Sequence, residues 1–152
     1  MSLTLMYITN NTVTASIAQK AGVDRIWVDM EYIGKEERQA GMNTVKSHHT
    51  VADIEKLRPI VTSSELLVRI NPIHDKTDEY GSTEEEIEDV INAGADVIML
   101  PMFQTKQDVE RFIKAVTGRV KTLLLFETAE SVENIDDILS VSGIDEAHIG
   151  LN

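Results

Sequence analysis

Leu123-Leu124-Leu125-Phe126 is apolar at every position, and Glu127 follows it directly. A run this short and uniform does not alternate between core and water, so it fits a strand covered on both faces, as in a parallel sheet between helices. Two other segments behave alike. Ile26-Trp27-Val28 runs into Asp29 and Glu31, and Leu66-Leu67-Val68 runs into Arg69 and Asn71. In α/β sheets and barrels, the carboxyl ends of such strands are where ligands bind. Three buried strands that deliver charge to one rim therefore predict a charged site there.

The rest of the chain punctuates itself as a strand–helix alternation. Strands are predicted over Leu5–Ile8, Arg25–Glu31, Glu65–Ile70, Val97–Leu100, Thr122–Phe126 and Ala147–Ile149. Between them, helices run from about Val13 to Ala21, Thr50 to Arg58, Ser82 or Thr83 to Ala93, Thr105 to Val116 and Ala129 to Leu139. Thr50 with Asp53, and Ser82 or Thr83 with the glutamates three residues on, have N-cap spacing, while Pro59 and Pro101 act as stops. Ala21-Gly22-Val23-Asp24, Ala93-Gly94-Ala95-Asp96 and Ser142-Gly143-Ile144-Asp145 each precede a strand. Either αβ turns simply resemble one another or the unit is an ancient repeat.

Six strands alternating with helices define βαβ units with right-handed crossovers. Strands this apolar favour closure, and a closed (β/α)8 TIM barrel takes eight units and ~250 residues. The expectation is an α/β fold in one domain spanning residues 1–152: a (β/α)8 barrel of which this sequence covers about six strands, its last two units lying beyond it.

A formal net charge of −12 argues against nucleic acid or an anionic membrane as main partner, because both need a basic surface. With no cysteine, disulfides, thiolate catalysis and cysteine-ligated zinc are excluded together. The opening residues lack the basic start and apolar core of a secretory signal, and no apolar run approaches the ~20 residues of a membrane span. A cytoplasmic location is the expectation. Between Ile33 and Thr50, Lys35, Arg38 and Lys46 outnumber Glu36 and Glu37, beside His48 and His49. That basic loop suits an anionic small molecule, a phosphate or a coenzyme A ester; it equally suits a solvated or intersubunit surface.

Taken as residues, the charged strand ends have two readings each. Glu127 is a candidate ligand-binding acid or a helix N-terminal residue favoured by the dipole. Arg69, at the end of an apolar strand, needs solvent or a carboxylate partner. Its planar fork serves either a structural ion pair or the carboxylate of a substrate.

The same residues carry a resemblance. Gly22-Val23-Asp24-Arg25-Ile26-Trp27-Val28-Asp29-Met30-Glu31, Leu67-Val68-Arg69-Ile70-Asn71, Val97-Ile98-Met99-Leu100-Pro101-Met102, Leu125-Phe126-Glu127-Thr128 and His148-Ile149-Gly150-Leu151-Asn152 resemble, in order and spacing, the HpcH/HpaI aldolase and citrate lyase family. The resemblance implies a metal-dependent barrel acting on pyruvate-like or oxaloacetate-like units. It implies that Glu127 binds Mg2+ or Mn2+, that Arg69 holds the keto-acid, and that Asp29 and Glu31 stand near the metal-bound waters and the catalytic base. Gly150 and Leu151 would bring backbone amides to the substrate carboxylate, and an aspartate is expected immediately after Asn152. Family members tend to be homo-oligomers. Two departures lean towards citrate-lyase-like members: Tyr32 stands where aldolases have their base histidine, and Leu125 stands where they have a glutamine.

The implied chemistry needs an enolate, because breaking a carbon–carbon bond beside a carbonyl leaves charge on the carbonyl oxygen. A divalent cation stabilises that charge by several kcal/mol, and an arginine adds positive potential. The reading is a metal-dependent carbon–carbon lyase for a keto-acid or acyl unit. Its rivals are a phosphate-binding barrel isomerase and a non-catalytic paralogue that binds a keto-acid.

Overall fold

A computed structural model describes residues 3–34 and 48–150. The six strands are β1 Met6–Ile8, β2 Arg25–Asp29, β3 Glu65–Arg69, β4 Val97–Leu100, β5 Lys121–Phe126 and β6 Glu146–Ile149. The helices are α1 Thr12–Lys20, α2 Val51–Leu57, α3 Thr83–Asn92, α4 Lys106–Val116, α5 Ala129–Glu133 and α6 Ile135–Leu139. Every pairing is parallel, and the strands lie in chain order from β1 to β6. No helix among the described residues is long and apolar enough to cross a membrane.

Local chemistry sets the helix starts. Ser82, not Thr83, is the cap of α3: its Oγ accepts from Glu85 N and its own N donates to Glu85 Oε2. Thr105 and Asp108 do the same for α4. Two expected elements differ by more than one residue at an end. β2 stops at Asp29 rather than Glu31, because Asp29 Oδ1 accepts from Glu31 N at 3.3 Å and turns the chain out of the ladder. The single helix expected over Ala129–Leu139 is two, broken at Asn134, which has φ −98° and ψ 16° and whose Nδ2 donates to Gln104 O.

The glycine–aspartate repeat has a structural cause. Gly22, Gly94 and Gly143 all have positive φ, +90°, +103° and +98°, which suits glycine; the first two stand just past the caps of α1 and α3, and the third lies in the turn that leads from α6 to β6. The aspartate two residues on then reaches sideways. Asp24, Asp96 and Asp145 accept from the backbone N–H of Leu5, Leu66 and Thr122, each at 2.8 Å. Each even-numbered strand thus begins with a carboxylate that satisfies the start of the odd-numbered strand before it.

The strands bury both faces, as their composition predicts. Outward-facing Ile26, Val28, Leu66, Val68, Ile98, Leu100, Leu124 and Phe126 pack against the helices. Inward-facing Leu67, Val97, Met99, Leu123 and Leu125 form a second cluster with Met6 and Trp27. Beneath it, at the amino ends of the strands, lies a charged layer. Arg25 meets Glu65 at 2.8 Å and grips Glu146 with two 2.6 Å hydrogen bonds, while Lys121 reaches Glu65 at 2.5 Å. β2 and β6 are four strands apart, about 19 Å in a flat sheet, so the Arg25–Glu146 contact requires the sheet to curl. The architecture is a half-barrel with alternating helices, a partial (β/α)8 TIM barrel.

Candidate functional site at the carboxyl ends of the strands

β2 and β3 run in register with Asp29 beside Arg69. Both side chains point inward, and the guanidinium meets the carboxylate edge-on: Nε donates to Asp29 Oδ1 and Nη2 to Oδ2, each at 2.8 Å. Arg69 Nη1 lies 3.2 Å from Glu31 Oε2. The guanidinium also stacks over the Trp27 ring, 5.1 Å from its centroid. Asp29 and Glu31 are buried and Arg69 nearly so. Burial opposes the guanidinium charge, but the hydrogen bonds and charge of Asp29, then the charges of Glu31 and Glu127, hold Arg69 above its ordinary value. Arginine has five N–H donors in a fixed fork. Asp29 accepts from two of them, and Glu31 lies within ion-pair distance of Nη1.

Glu127 follows β5 and completes the acidic surround. Its Oε1 accepts from Met102 N at 3.2 Å. Met102 has φ 54°, an uncommon conformation for a side-chain-bearing residue, imposed where Pro101 ends β4. Gly150, at the end of β6, faces the same carboxylate: a Cβ there would lie 3.2 Å from Glu127 Cβ and 3.8 Å from Oε2. Glycine allows the end of β6 to approach the Glu127 stem this closely.

The donor chemistry fits a hard divalent cation. Mg2+ keeps several waters and commonly takes one or two carboxylates, and Glu127 offers one. The described residues contain no cluster of three or more His, Cys, Asp or Glu placed to hold an ion. Glu127, as an oxygen donor, suits a hard ion such as Mg2+ or Mn2+.

Three contributors had no role assigned to them from the sequence. Asn71, at the end of β3, is buried with its polar atoms spent on positioning. Its Oδ1 accepts from Tyr32 N and Ile33 N, and its Nδ2 donates to Glu86 Oε1 at 2.9 Å. Glu86, from α3, also accepts from Asn71 N. Burial pushes the Glu86 carboxyl up, against the Asn71 hydrogen bonds. Asn71 thereby clamps the backbone just beyond Glu31. The third is His49, whose Nδ1 accepts from Asp29 N at 3.0 Å. A histidine pair before a capped helix reads as solvated, yet only His48 is exposed. The contact spans twenty residues of sequence, so no local pattern announces it.

The structure thus brings Asp29, Glu31 and Arg69 into direct contact, with Glu127 close enough for its charge to act on the guanidinium and Gly150 against Glu127. Leu151 and the basic residues Lys35, Arg38 and Lys46 lie outside the described residues. At the opposite end of the sheet, clefts lined by Arg58, Glu65 and Asp96 hold side chains already spent on turn packing, such as Arg58 on Asp96 and Gly94 O.

No curated protein sequence matches the chain closely. Among solved structures it is similar to the citrate synthase SbnG, with TM-score 0.71 and 16% identity over 97% of this chain and 60% of that one. It is similar to an HpcH/HpaI aldolase/citrate lyase family protein from Burkholderia cenocepacia J2315, with TM-score 0.70 and 16% identity over 96% and 62%. Macrophomate synthase gives TM-score 0.65 and 19% identity over 97% and 56%. The chain spans about 60% of the length of these structures. At such identities the likeness establishes the fold. The HpcH/HpaI aldolase/citrate lyase family profile matches residues 3–152, and the chain belongs to that family.

Proposed function

We propose that this protein is a divalent-metal-dependent carbon–carbon lyase that cleaves or forms a bond next to the carbonyl of a pyruvate-like or acyl unit. The observation that carries the reading is the Arg69 guanidinium, held edge-on by Asp29 at the rim with Glu127 nearby. Arg69 binds the substrate carboxylate and, being nearly buried, acts where charge is weakly screened. Asp29 fixes the plane of the fork, so the guanidinium is pre-oriented and little entropy is lost on binding. Glu127 would hold Mg2+ or Mn2+. When bound, the ion supplies a Lewis acid for the developing negative charge on the carbonyl oxygen. Glu31, set by the Asn71 clamp, adds negative charge on the far side of Arg69. A homo-oligomer in the cytoplasm is the setting this reading expects.

The test is metal-dependent turnover of keto-acids such as oxaloacetate by the intact protein. Activity should vanish with a chelator, return with Mn2+, and fall at least ~100-fold in Glu127→Gln, the scale of losing one preorganised charge-stabilising group. Turnover that ignores the chelator, or metal dependence unchanged in Glu127→Gln, sinks the assignment. One observation favours a second reading, a keto-acid-binding paralogue without catalysis: Tyr32 occupies the position of the expected base. That reading predicts metal-dependent binding of oxalate with no turnover of any keto-acid.

A further inference from the structure

An asparagine amide carries an acceptor on one corner and a donor on the other, and its neighbours decide which way round it sits. Buried Asn71 has both corners engaged. On one side, Tyr32 N and Ile33 N donate to Oδ1 at 2.9 and 3.0 Å. On the other, Glu86 Oε1 accepts from Nδ2 at 2.9 Å and from Asn71 N at 3.2 Å. Turning the amide over would set Nδ2 against two backbone N–H groups and Oδ1 against the Glu86 oxygens. Glu86 thus selects the one orientation that can hold the backbone of Tyr32 and Ile33.

Glu86 is itself a fixed post. It lies in the first turn of α3, which Ser82 caps by accepting from Glu85 N. Thr83, at the start of that turn, is buried, and its Oγ1 accepts from His74 N at 2.8 Å and donates to His74 O at 3.1 Å. Arg111, from α4, grips the same end: Nε and Nη2 donate to Glu84 at 2.7 and 3.0 Å, and Nη2 also donates to His74 O at 3.1 Å. The start of α3 and the loop that precedes it are therefore tied to each other and to α4.

The backbone that Asn71 holds leads directly from the Arg69 cluster. Met30 N still donates to Arg69 O at 2.9 Å, in the manner of the sheet. The next three backbone N–H groups, of Glu31, Tyr32 and Ile33, are accepted by side chains: the first by Asp29 Oδ1, the other two by Asn71 Oδ1. Glu31 is thus pinned from before and from behind, with its Oε2 3.2 Å from Arg69 Nη1. In a buried network of this kind, a partner that is lost leaves the remaining groups to find new ones, and the geometry moves with them.

Resting on the keto-acid reading above, we propose that Glu86 is a positioning residue of this site: through the Asn71 amide it sets the backbone beyond Glu31, and with it the seat of the Arg69 guanidinium that receives the ligand carboxylate.

The experiment uses the intact protein, with oxalate and Mg2+ as the probe, at a temperature below the melting range of every variant. Glu86→Met fills similar space and accepts nothing, whereas Glu86→Gln keeps an oxygen for Asn71. Glu86→Met should bind oxalate about 10-fold more weakly, the scale of one lost hydrogen bond in a charged network, while Glu86→Gln stays near the wild type. In an Asn71→Ala background, Glu86→Met should weaken binding no further, because its effect runs through the amide. The exchanged pair, Asn71→Asp with Glu86→Gln, reverses donor and acceptor and should bind as the wild type does, which keeps the proposal testable even where Glu86→Met fails to fold. A Glu86→Met protein that melts lower yet binds oxalate normally makes Glu86 a merely structural residue and overturns the proposal. Additive weakening in Asn71→Ala overturns it too, as does a folded exchanged pair that binds poorly. Wild-type protein that binds no oxalate with any divalent cation removes the keto-acid reading and this proposal together, whereas the variant outcomes remove Glu86 alone.

Discussion

Arg69 illustrates how far a single side chain is committed before any ligand arrives. Two carboxylates hold it, and all three groups are largely withdrawn from water. Removing one partner of such a buried cluster leaves the others uncompensated, which typically costs ~3–5 kcal/mol. Arg69→Met should therefore lower unfolding stability by roughly 3 kcal/mol in urea melts, and loss below ~1 kcal/mol would mean that the carboxylates find water instead. Glu86 makes the opposite kind of statement. Burial raises its folded value above the ordinary 4.5, so the folded protein holds that proton more tightly than the unfolded chain does. By linkage, stability from this group is greatest below about pH 4.5 and is lost as pH rises towards the folded value. Glu86→Gln, which cannot ionise, should gain on the wild type as pH is raised from about 4 to 7, as followed by chemical denaturation. A stability gap that is flat with pH would show the carboxyl to be ordinary.

At the scale of elements, the αβ turns are the recurrent device, and their glycines are not equivalent. A Cβ on Gly94 would lie 2.6 Å from Arg58 Cδ, whereas one on Gly22 meets nothing within 4 Å. Both have positive φ, so both alanine variants carry the backbone strain of ~1 kcal/mol, and only Gly94→Ala must also displace Arg58 from Asp96 and the Gly94 carbonyl. Thermal melts should rank Gly94→Ala below Gly22→Ala by a further ~1–3 kcal/mol; equal values would contradict the packing. The caps at Ser82 and Thr105 were legible in the sequence because their partners stand three residues away. The break at Asn134 was not, because it depends on a hydrogen bond to Gln104 in another turn.

For the whole molecule, the two sheet edges are the open matter. Ile149 on β6 and Leu139 on α6 are exposed, as are Tyr7 on β1 and Val13 and Ile17 on α1. Buried Trp27 Nε1, on the inner face, has no hydrogen-bond partner among the described residues. Closure by further strands, as in an eight-stranded barrel, would cover both edges and the interior. Ile149→Asp then costs ~2 kcal/mol or more by placing a charge in a packed layer; with β6 left as an open edge it costs almost nothing. Urea unfolding of the intact protein distinguishes the two.

The sequence by itself determined the strands, the order of the helices and the residues at the strand ends. Apolar runs, caps and glycine turns act over a few residues, and parallel order follows from the alternation. It also put Asp29, Arg69, Glu127 and Gly150 on one rim, since each stands in inward-facing register at or just past a strand end, with Glu31 two residues beyond Asp29. Only the tertiary structure decided the pairings. Arg25 finds Glu146 across the barrel interior, Asn71 finds both Glu86 and the backbone beyond Glu31, and His49 finds the N–H that β1 is too short to accept. Those partners are set by the curl of the sheet and by where each strand stops, which arise from packing over the whole chain and have no signature in any local stretch of it.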